Sequence, residues 1–166
     1  MPAHLLVAAL ALSTAAKPAP AAALPDGWET YTNVRYGFAI CYPANLLGAQ
    51  GEADNGDGQI FKAGDGAELR AFGTNNILNR SLAAEAVQQV RSHIGRYGKI
   101  TYRISRPGWT VVSGTDGESQ LFYAKTFARE GQFITFKLTY PKTAAQRYRS
   151  VVERLSRCFR LTEGRP

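Results

Sequence analysis

The segment FITFKLTYPKTAAQRYRSVVERLSRCFRL, residues 133–161, determines how the C-terminal part of this chain folds. Residues 134–140 alternate between apolar and polar side chains, a period of two that predicts a half-buried strand. Pro141 has no N–H to donate to a neighbouring strand, so we expect the strand to end there. Thr143 and Gln146 have the spacing of a capping box, which predicts that a helix starts at this point.

The predicted helix is amphipathic. Its apolar residues recur every three or four positions and fall on one stripe: Ala145, Tyr148, Val151, Val152 and Leu155. Four arginines occupy its other faces: Arg147, Arg149, Arg154 and Arg157. A short return segment carrying Cys158 is expected after the helix. The helix therefore has one face for the core and one basic face.

The rest of the chain predicts several strands and a second helix. Residues 36–43 read as a strand closed by proline, 51–58 as a loop rich in glycine and acids, and the segments from 60 and from 68 as a hairpin. Ser81 is expected to cap a helix over 82–94. Further strands are predicted at 100–105, 109–113 and 121–127. This order indicates an α+β fold, an antiparallel sheet whose faces are covered by the two helices.

The N-terminus resembles a secretory signal peptide. A short apolar run is followed by small residues and by Ala21-x-Ala23, a typical cleavage site. The run is too short to cross a bilayer, which needs about 20 apolar residues. No Lys or Arg precedes it, so a disordered Ala/Pro tail on a cytosolic protein is the alternative. We expect a signal peptide at 1–23, a single domain at 24–166, no transmembrane segment after its removal, and a periplasmic or secreted protein.

The chain has two cysteines, Cys41 and Cys158, near opposite ends of that predicted domain. In an oxidising compartment an even pair predicts one disulfide. The alternative is two separate buried thiols that act as small apolar fillers. A catalytic redox pair is disfavoured because the sequence has no Cys-x-x-Cys motif.

Several blocks resemble the PsbP-like fold, which is shared with DcrB-like bacterial envelope proteins. They are YGFAICYP at 36–43, the mid-chain helix and hairpins, and the ending of strand, Pro141, helix and CFRL at 158–161. The resemblance covers most of the predicted domain. It implies an antiparallel sheet sandwiched by helices and a non-catalytic accessory, binding or chaperone-like role. It supplies no catalytic motif to transfer to these positions, and a fold alone does not establish a function.

The formal net charge of +7 is unevenly distributed. Residues 26–90 contain four Lys or Arg against eight Asp or Glu, whereas 91–166 contain fifteen against five. A basic half of this kind attracts anionic partners. We therefore expect an anionic-partner surface at Arg147, Arg149, Arg154 and Arg157. The alternative is a solvated surface that keeps the protein soluble.

The sequence contains few residues suited to catalysis or metal binding. After removal of the predicted leader, His93 is its one histidine, and no Gly-x-Ser-x-Gly, Walker or Rossmann motif accompanies it. Asp54 and Asp57, in the acidic Gly-rich loop, are weak candidates for calcium, but the EF-hand spacing fails. We expect no catalytic residue, no metal and no cofactor.

These observations favour a non-enzymatic accessory or binding domain whose partner is an envelope protein or an anionic envelope component. Basic residues next to aromatic ones, as in Arg147-Tyr148-Arg149, could suit a nucleic acid, but in an exported protein we expect none. Two alternatives stay open: a small envelope hydrolase using the acidic loop 52–58, and a structural subunit of an envelope complex.

Overall fold

The computed structural model describes residues 26–91, 94, 97–117 and 119–163, so the predicted signal peptide and His93 lie outside the described residues. The elements in this part of the chain are β1 Trp28–Asn33, β2 Phe38–Pro43, β3 Gly48–Glu52, β4 Gly58–Lys62, β5 Glu68–Asn75, α1 Leu82–Arg91, β6 Lys99–Arg106, β7 Trp109–Asp116, β8 Gln120–Arg129, β9 Gln132–Pro141, α2 Ala145–Cys158 and β10 Arg160–Leu161. A 3-10 turn, Lys142–Ala144, joins β9 to α2.

The strands form two antiparallel sheets. The large sheet has seven strands in the order β3-β4-β5-β9-β8-β7-β6, and the small sheet has three in the order β1-β2-β10. β9 lies in the middle of the large sheet, paired with β5 on one side and β8 on the other. Its residues 133–138 are all buried, so this strand exposes little side-chain surface to solvent on either face of the sheet.

The small sheet and α2 together cover one face of the large sheet. The side chains buried between them come from β2, β4, β5, β9 and α2 and include Phe38, Ile40, Phe61, Leu69, Ile134, Phe136, Leu138, Tyr148, Val151 and Leu155. Phe159, just after α2, lies with its ring centroid 5.0 Å from those of both Phe127 and Phe136. Burial of this apolar surface is the main source of stability on this face.

The turn before β2 packs closely on β5 at Gly73. A Cβ atom on this residue would lie 2.1 Å from the ring of Tyr36, which precedes β2. No side chain fits in that space, so the position requires glycine. The conformation of Tyr36 is fixed in addition by the hydrogen bond that its backbone N–H donates to Asn33 Oδ1 (2.8 Å).

The opposite face of the large sheet is covered by α1 at one side only. Ala86 and Val90 of α1 pack on Val112, Phe122 and Ala124 of β7 and β8. The part of this face formed by β4, β5 and β9 is not covered by α1 and forms the floor of an open cleft. The two faces of one sheet therefore differ in how completely they are buried.

Cys41 in β2 and Cys158, the last residue of α2, form a disulfide with their Cα atoms 5.8 Å apart. The bond joins positions separated by 117 residues and fixes the C-terminal end of α2 to the small sheet. The structure thus contains the disulfide and not the alternative of two separate thiols.

The predicted fold class, α+β with an antiparallel sheet between helices, is confirmed. The predicted cap of α1 is confirmed as well, because Ser81 Oγ accepts a hydrogen bond from the Ala84 N–H (3.3 Å). The predicted capping box at Thr143 and Gln146 is wrong. Neither the 3-10 turn nor α2 has a side-chain cap, and the Ala145 N–H donates to the Lys142 carbonyl oxygen instead.

Two further local predictions need correction. Cys158 belongs to α2 and not to the return segment, which is the short strand β10. The predicted loop 51–58 starts too early, because its first two residues belong to strand β3, which pairs with β4. The sequence of β3, GAQGE, has no alternation of apolar and polar residues. All five residues are exposed at the edge of the sheet, so neither side of the strand requires apolar side chains.

Candidate functional site

The outer face of α2 carries the arginines that the sequence suggested as a binding surface. Tyr148, Val151 and Leu155 are buried, so the position of the helix on the core is fixed. With about 100° between successive residues, Arg147 and Arg154 lie within about 20° of each other on one flank of the helix, whereas Arg157 and Arg149 lie about 60° and about 140° further round from Arg154. The four arginines therefore do not form one uniform patch.

Arg147 and Arg154 make ion pairs within the molecule. Arg147 lies 3.5 Å from Asp65, which also accepts a hydrogen bond from the Tyr148 hydroxyl (3.0 Å). Burial and the Asp65 carboxylate raise the pKa of Tyr148.

Arg154 donates to both carboxylate oxygens of Asp26 and stacks over the Trp28 ring, 4.3 Å from its centroid. Its hydrogen bond lowers the pKa of Asp26. Like Asp65, Asp26 belongs to the acidic N-terminal half of the chain. Part of the charge asymmetry seen in the sequence is therefore used to hold the two halves together.

Arg149 and Arg157 are exposed and make no ion pair or hydrogen bond with the described part of the chain. Glu153 is the one acidic residue of α2. The charges of these two arginines are therefore available to a partner. Tyr148, between Arg147 and Arg149 in the sequence, is fully buried, so it cannot stack on a nucleic-acid base.

The acidic loop 52–58 is held by side chains from the region around β1. Asn33 is fully buried and donates to Glu52 (3.0 Å) and to the Gly56 carbonyl oxygen (2.8 Å). Tyr31 donates to the same Glu52 carboxylate (2.6 Å), and burial and this contact raise the pKa of Tyr31. The loop is therefore fixed in position by contacts at its start and middle.

The weak metal candidates in this loop have other partners or stand apart. Asp57 pairs with Arg35 (3.0 Å), and Arg35 also donates to the Asn55 carbonyl oxygen. Asp54 is exposed. Among the described residues, no three His, Cys, Asp or Glu side chains come together in a way that could hold a metal ion. Glu52 and Asp57 have structural partners that explain their positions.

A cleft of about 390 Å³ lies between this loop and α1. Its floor is the open part of the large sheet. The apolar lining residues are Ala53, Ile60, Phe72, Ala86, Val90 and Ala124. Ile60 and Phe72 are half-buried, so they present apolar surface directly to the cleft. Its volume is within the range of about 300 to 1,000 Å³ of small-molecule sites.

Polar side chains cross the floor of the cleft in one row. Thr135, 2% exposed, donates to Gln89 Oε1 (2.7 Å), so the 2.9 Å contact between the Thr126 and Thr135 hydroxyls is donated by Thr126. Gln89 of α1 in turn donates to Glu85 (3.1 Å). Buried hydroxyls are tolerated here because they are hydrogen-bonded.

Two cations, Arg70 and Lys137, stand at one end of the cleft. Lys137 is 9% exposed, and burial lowers its pKa. Asp116 lies 3.5 Å from Lys137, and Glu68 pairs with Arg70. Both carboxylates line a second, polar cavity of about 220 Å³ beyond the cations and not the apolar cleft itself. Arg70 and Lys137 therefore separate an apolar space from a polar one.

Sequence reasoning did not find this cleft. The alternation over residues 134–140 places Thr135 and Lys137 on the solvent side of a half-buried strand, and nothing in the sequence distinguishes Ile60 and Phe72 from other strand residues. The feature that marks the cleft is a pair of cations on adjacent strands, Arg70 in β5 directly opposite Lys137 in β9. That pairing becomes visible only once the strand order is known.

No protein-family model matches this chain, and no curated protein matches its sequence significantly. Several solved structures are similar in fold, among them these two. One is cyanobacterial PsbP (CyanoP) from Synechocystis sp. PCC 6803, with a TM-score of 0.61 and 14% identity over 82% of this chain and 93% of that one. The other is the Ran-binding protein Mog1p of Saccharomyces cerevisiae, with a TM-score of 0.55 and 5% identity over 82% and 96%. The chain has a PsbP-like fold.

The helices in the described part of the chain are also too short and too polar to span a membrane.

Proposed function

We propose that this protein is a non-enzymatic binding or accessory domain, exported to the periplasm or the cell exterior, that contacts an acidic envelope partner through the outer face of α2. The single observation that carries the proposal is the pair Arg149 and Arg157, exposed cations without an internal partner on a rigidly packed helix. Arginine forms strong hydrogen bonds with carboxylates and phosphates. The PsbP-like fold and the Cys41–Cys158 disulfide are compatible with this role.

The four arginines have two different parts in this proposal. Arg149 and Arg157 bind the partner directly. Arg147 and Arg154 fix Asp65 and Asp26 against the helix and present a flank whose charge is neutralised. Ion pairs that involve exposed carboxylates contribute little to stability. A partner carboxylate could therefore compete for Arg147 and Arg154 at small cost.

The test is a charge reversal at the two unpaired arginines. Purified protein is immobilised, envelope extract is applied, and bound material is eluted with increasing salt. Arg149→Glu combined with Arg157→Glu should abolish salt-sensitive retention of the partner. The control variant, Arg91→Glu with Arg103→Glu, makes the same change in net charge at exposed residues of α1 and β6 and should retain it. Equal loss in both variants, or loss in neither, contradicts the proposal.

The same experiment separates this function from a structural subunit role. A partner that is held through charge elutes as the ionic strength rises. A stable hetero-oligomer that survives high salt and gel filtration would favour the structural subunit.

Export is tested by the intact mass of the protein recovered from cell fractions. We expect a chain that begins at Leu24 and carries an intact disulfide in the periplasmic or extracellular fraction. A cytosolic chain that begins at Met1 and has two free thiols would overturn this part of the proposal.

The alternative of an envelope hydrolase gains no support from the contacts of the loop 52–58, since Glu52 and Asp57 are engaged by Tyr31, Asn33 and Arg35.

A further inference from the structure

We infer that the cleft between α1 and the loop 52–58 is a binding site for a small amphipathic carboxylate, with its apolar chain along the floor of β4 and β5 and its head group at Arg70 and Lys137. This site lies on the other face of the large sheet from α2 and goes beyond the proposed function.

The walls of the cleft are preformed. On one side α1 is anchored to the sheet by Val90 and Ala86, which are almost fully buried against β7 and β8. On the other side Asn33 and Arg35 hold the loop through its carboxylate and carbonyl groups. A site whose walls are already fixed loses little conformational entropy when a ligand enters.

The apolar part of the lining indicates a chain of hydrocarbon character. Ile60 and Phe72 leave apolar surface open to solvent at the floor, and the side chains of Ala86 and Ala124 are too short to fill the space above it. Transfer of a hydrocarbon chain from water to this floor is favourable in proportion to the area covered. A wholly polar ligand would gain nothing from these residues.

The charges at the end of the cleft indicate an anionic head group. The cleft is lined by two cations, Arg70 and Lys137, and one acid, Asp57, which already pairs with Arg35. The carboxylates that balance the cations, Glu68 and Asp116, lie behind them in the polar cavity. The Lys137–Asp116 separation of 3.5 Å is at the long end of hydrogen-bonded distances, so the ammonium group retains capacity for a second acceptor.

The test uses three probes of the same chain length: decanoate, decanol and decylamine. Each is titrated into the purified protein by calorimetry, and decanoate binding is followed in parallel by amide shifts in ¹⁵N spectra. We expect decanoate to bind at least tenfold more tightly than decanol, no measurable binding of decylamine, and the largest shifts at Phe72, Ala124 and Thr135. Equal binding of decanoate and decanol, or tighter binding of decylamine, overturns the charge assignment.

Two variants locate the site. Lys137→Met removes the charge but keeps most of the chain, and it should weaken decanoate binding at least tenfold. Arg149→Met, with the same change in net charge on α2, should leave it unchanged. Ile60→Glu places a carboxylate directly opposite Arg70 on the neighbouring strand, where it competes with the ligand head group, and it should abolish binding. Val34→Glu, at a residue 59% exposed outside the cleft, should not.

Circular dichroism and thermal unfolding establish that each variant is folded. If decanoate binds folded Lys137→Met or folded Ile60→Glu as tightly as the wild type, or if the amide shifts cluster on α2, the inference is wrong. A failure of this site leaves the α2 proposal untouched, because the Arg149 and Arg157 variants are read out with a different partner.

Discussion

The two faces of the large sheet differ in how completely they are covered. The α2 face is closed by a second sheet, a helix and a disulfide, and its central strand places Ile134, Phe136 and Leu138 in a dry core. On the α1 face the same strand places Thr135 and Lys137 at the floor of an open cleft. The even-numbered residues of this strand therefore belong to the core, and the odd-numbered residues Thr135 and Lys137 belong to the candidate site. The difference predicts that substitutions on the two faces have unequal effects.

The largest expected effect is loss of the disulfide that closes the α2 face. Replacing Cys41 and Cys158 together by Ala should lower the free energy of unfolding by roughly 4 to 5 kcal/mol, since the bond closes a loop of more than 100 residues in the unfolded chain. Urea unfolding of the variant and of the reduced wild type measures this. A loss below about 1 kcal/mol would mean that the core alone maintains this face, and the comparison between faces would weaken.

The second prediction compares one phenylalanine from each face. Phe136→Ala should cost about 4 kcal/mol or more, because Phe136 is fully buried and its ring contacts those of Tyr123 and Phe159. Phe122→Ala should cost about 3 kcal/mol, since its cluster is smaller and borders a cleft into which neighbours can relax. Urea unfolding midpoints give the difference. A larger cost for Phe122→Ala would contradict this view of the α1 face.

The α2 face was largely predictable from the sequence, and the α1 face was not. The strand at 134–140 and the helix after it were predicted because apolar spacing follows from burial on a single side. The small sheet was missed since β10 has two residues and β1 lies in a segment without clear alternation. The ion pairs of Arg147 and Arg154 were missed as well, because Asp65 and Asp26 are distant in sequence.

The cleft was missed for a further reason. It depends on where α1 packs, over β7 and β8 and not over β9, and nothing in the periodicity of residues 82–94 specifies which strands the helix covers. A polar residue in a strand is expected both where the strand faces solvent and where it forms the floor of a binding site. Sequence patterns show which side chains share a face, but the packing of a second element decides whether that face is closed.

The third prediction concerns the polar row on the α1 face. Thr135→Val keeps the shape of the side chain but removes the hydroxyl that links Thr126 to Gln89, so it should cost about 2 kcal/mol. Thr32→Val, at an exposed position of β1, should change stability by less than about 0.5 kcal/mol. Equal effects of the two substitutions would show that the buried hydroxyls contribute nothing to this face.

The smallest expected effect is a difference in pH dependence between the faces. Tyr42, 8% exposed on the α2 side, donates to Glu29 (2.7 Å), and burial first and this contact second raise its pKa to about 12. A raised tyrosine pKa gives stability that is fully present below the unfolded value of about 10 and is lost as the pH rises toward 12. Burial lowers the pKa of Lys137, so its charged form destabilises the fold at lower pH, and this penalty disappears as the pH rises toward the unfolded value near 10.5.

The two residues should therefore affect alkaline unfolding with opposite sign. Between pH 9 and 11, Tyr42→Phe should reduce the loss of stability by about 1 kcal/mol, because the unfolded state then has one tyrosine fewer to ionise. Lys137→Met should make the loss steeper, since it removes a group whose burial becomes less costly over that interval. Urea unfolding at pH 9, 10 and 11 measures both slopes. If the two variants change the slope in the same direction, then the pKa of Lys137 is higher in the folded than in the unfolded state, and the Asp116 carboxylate outweighs burial at this residue.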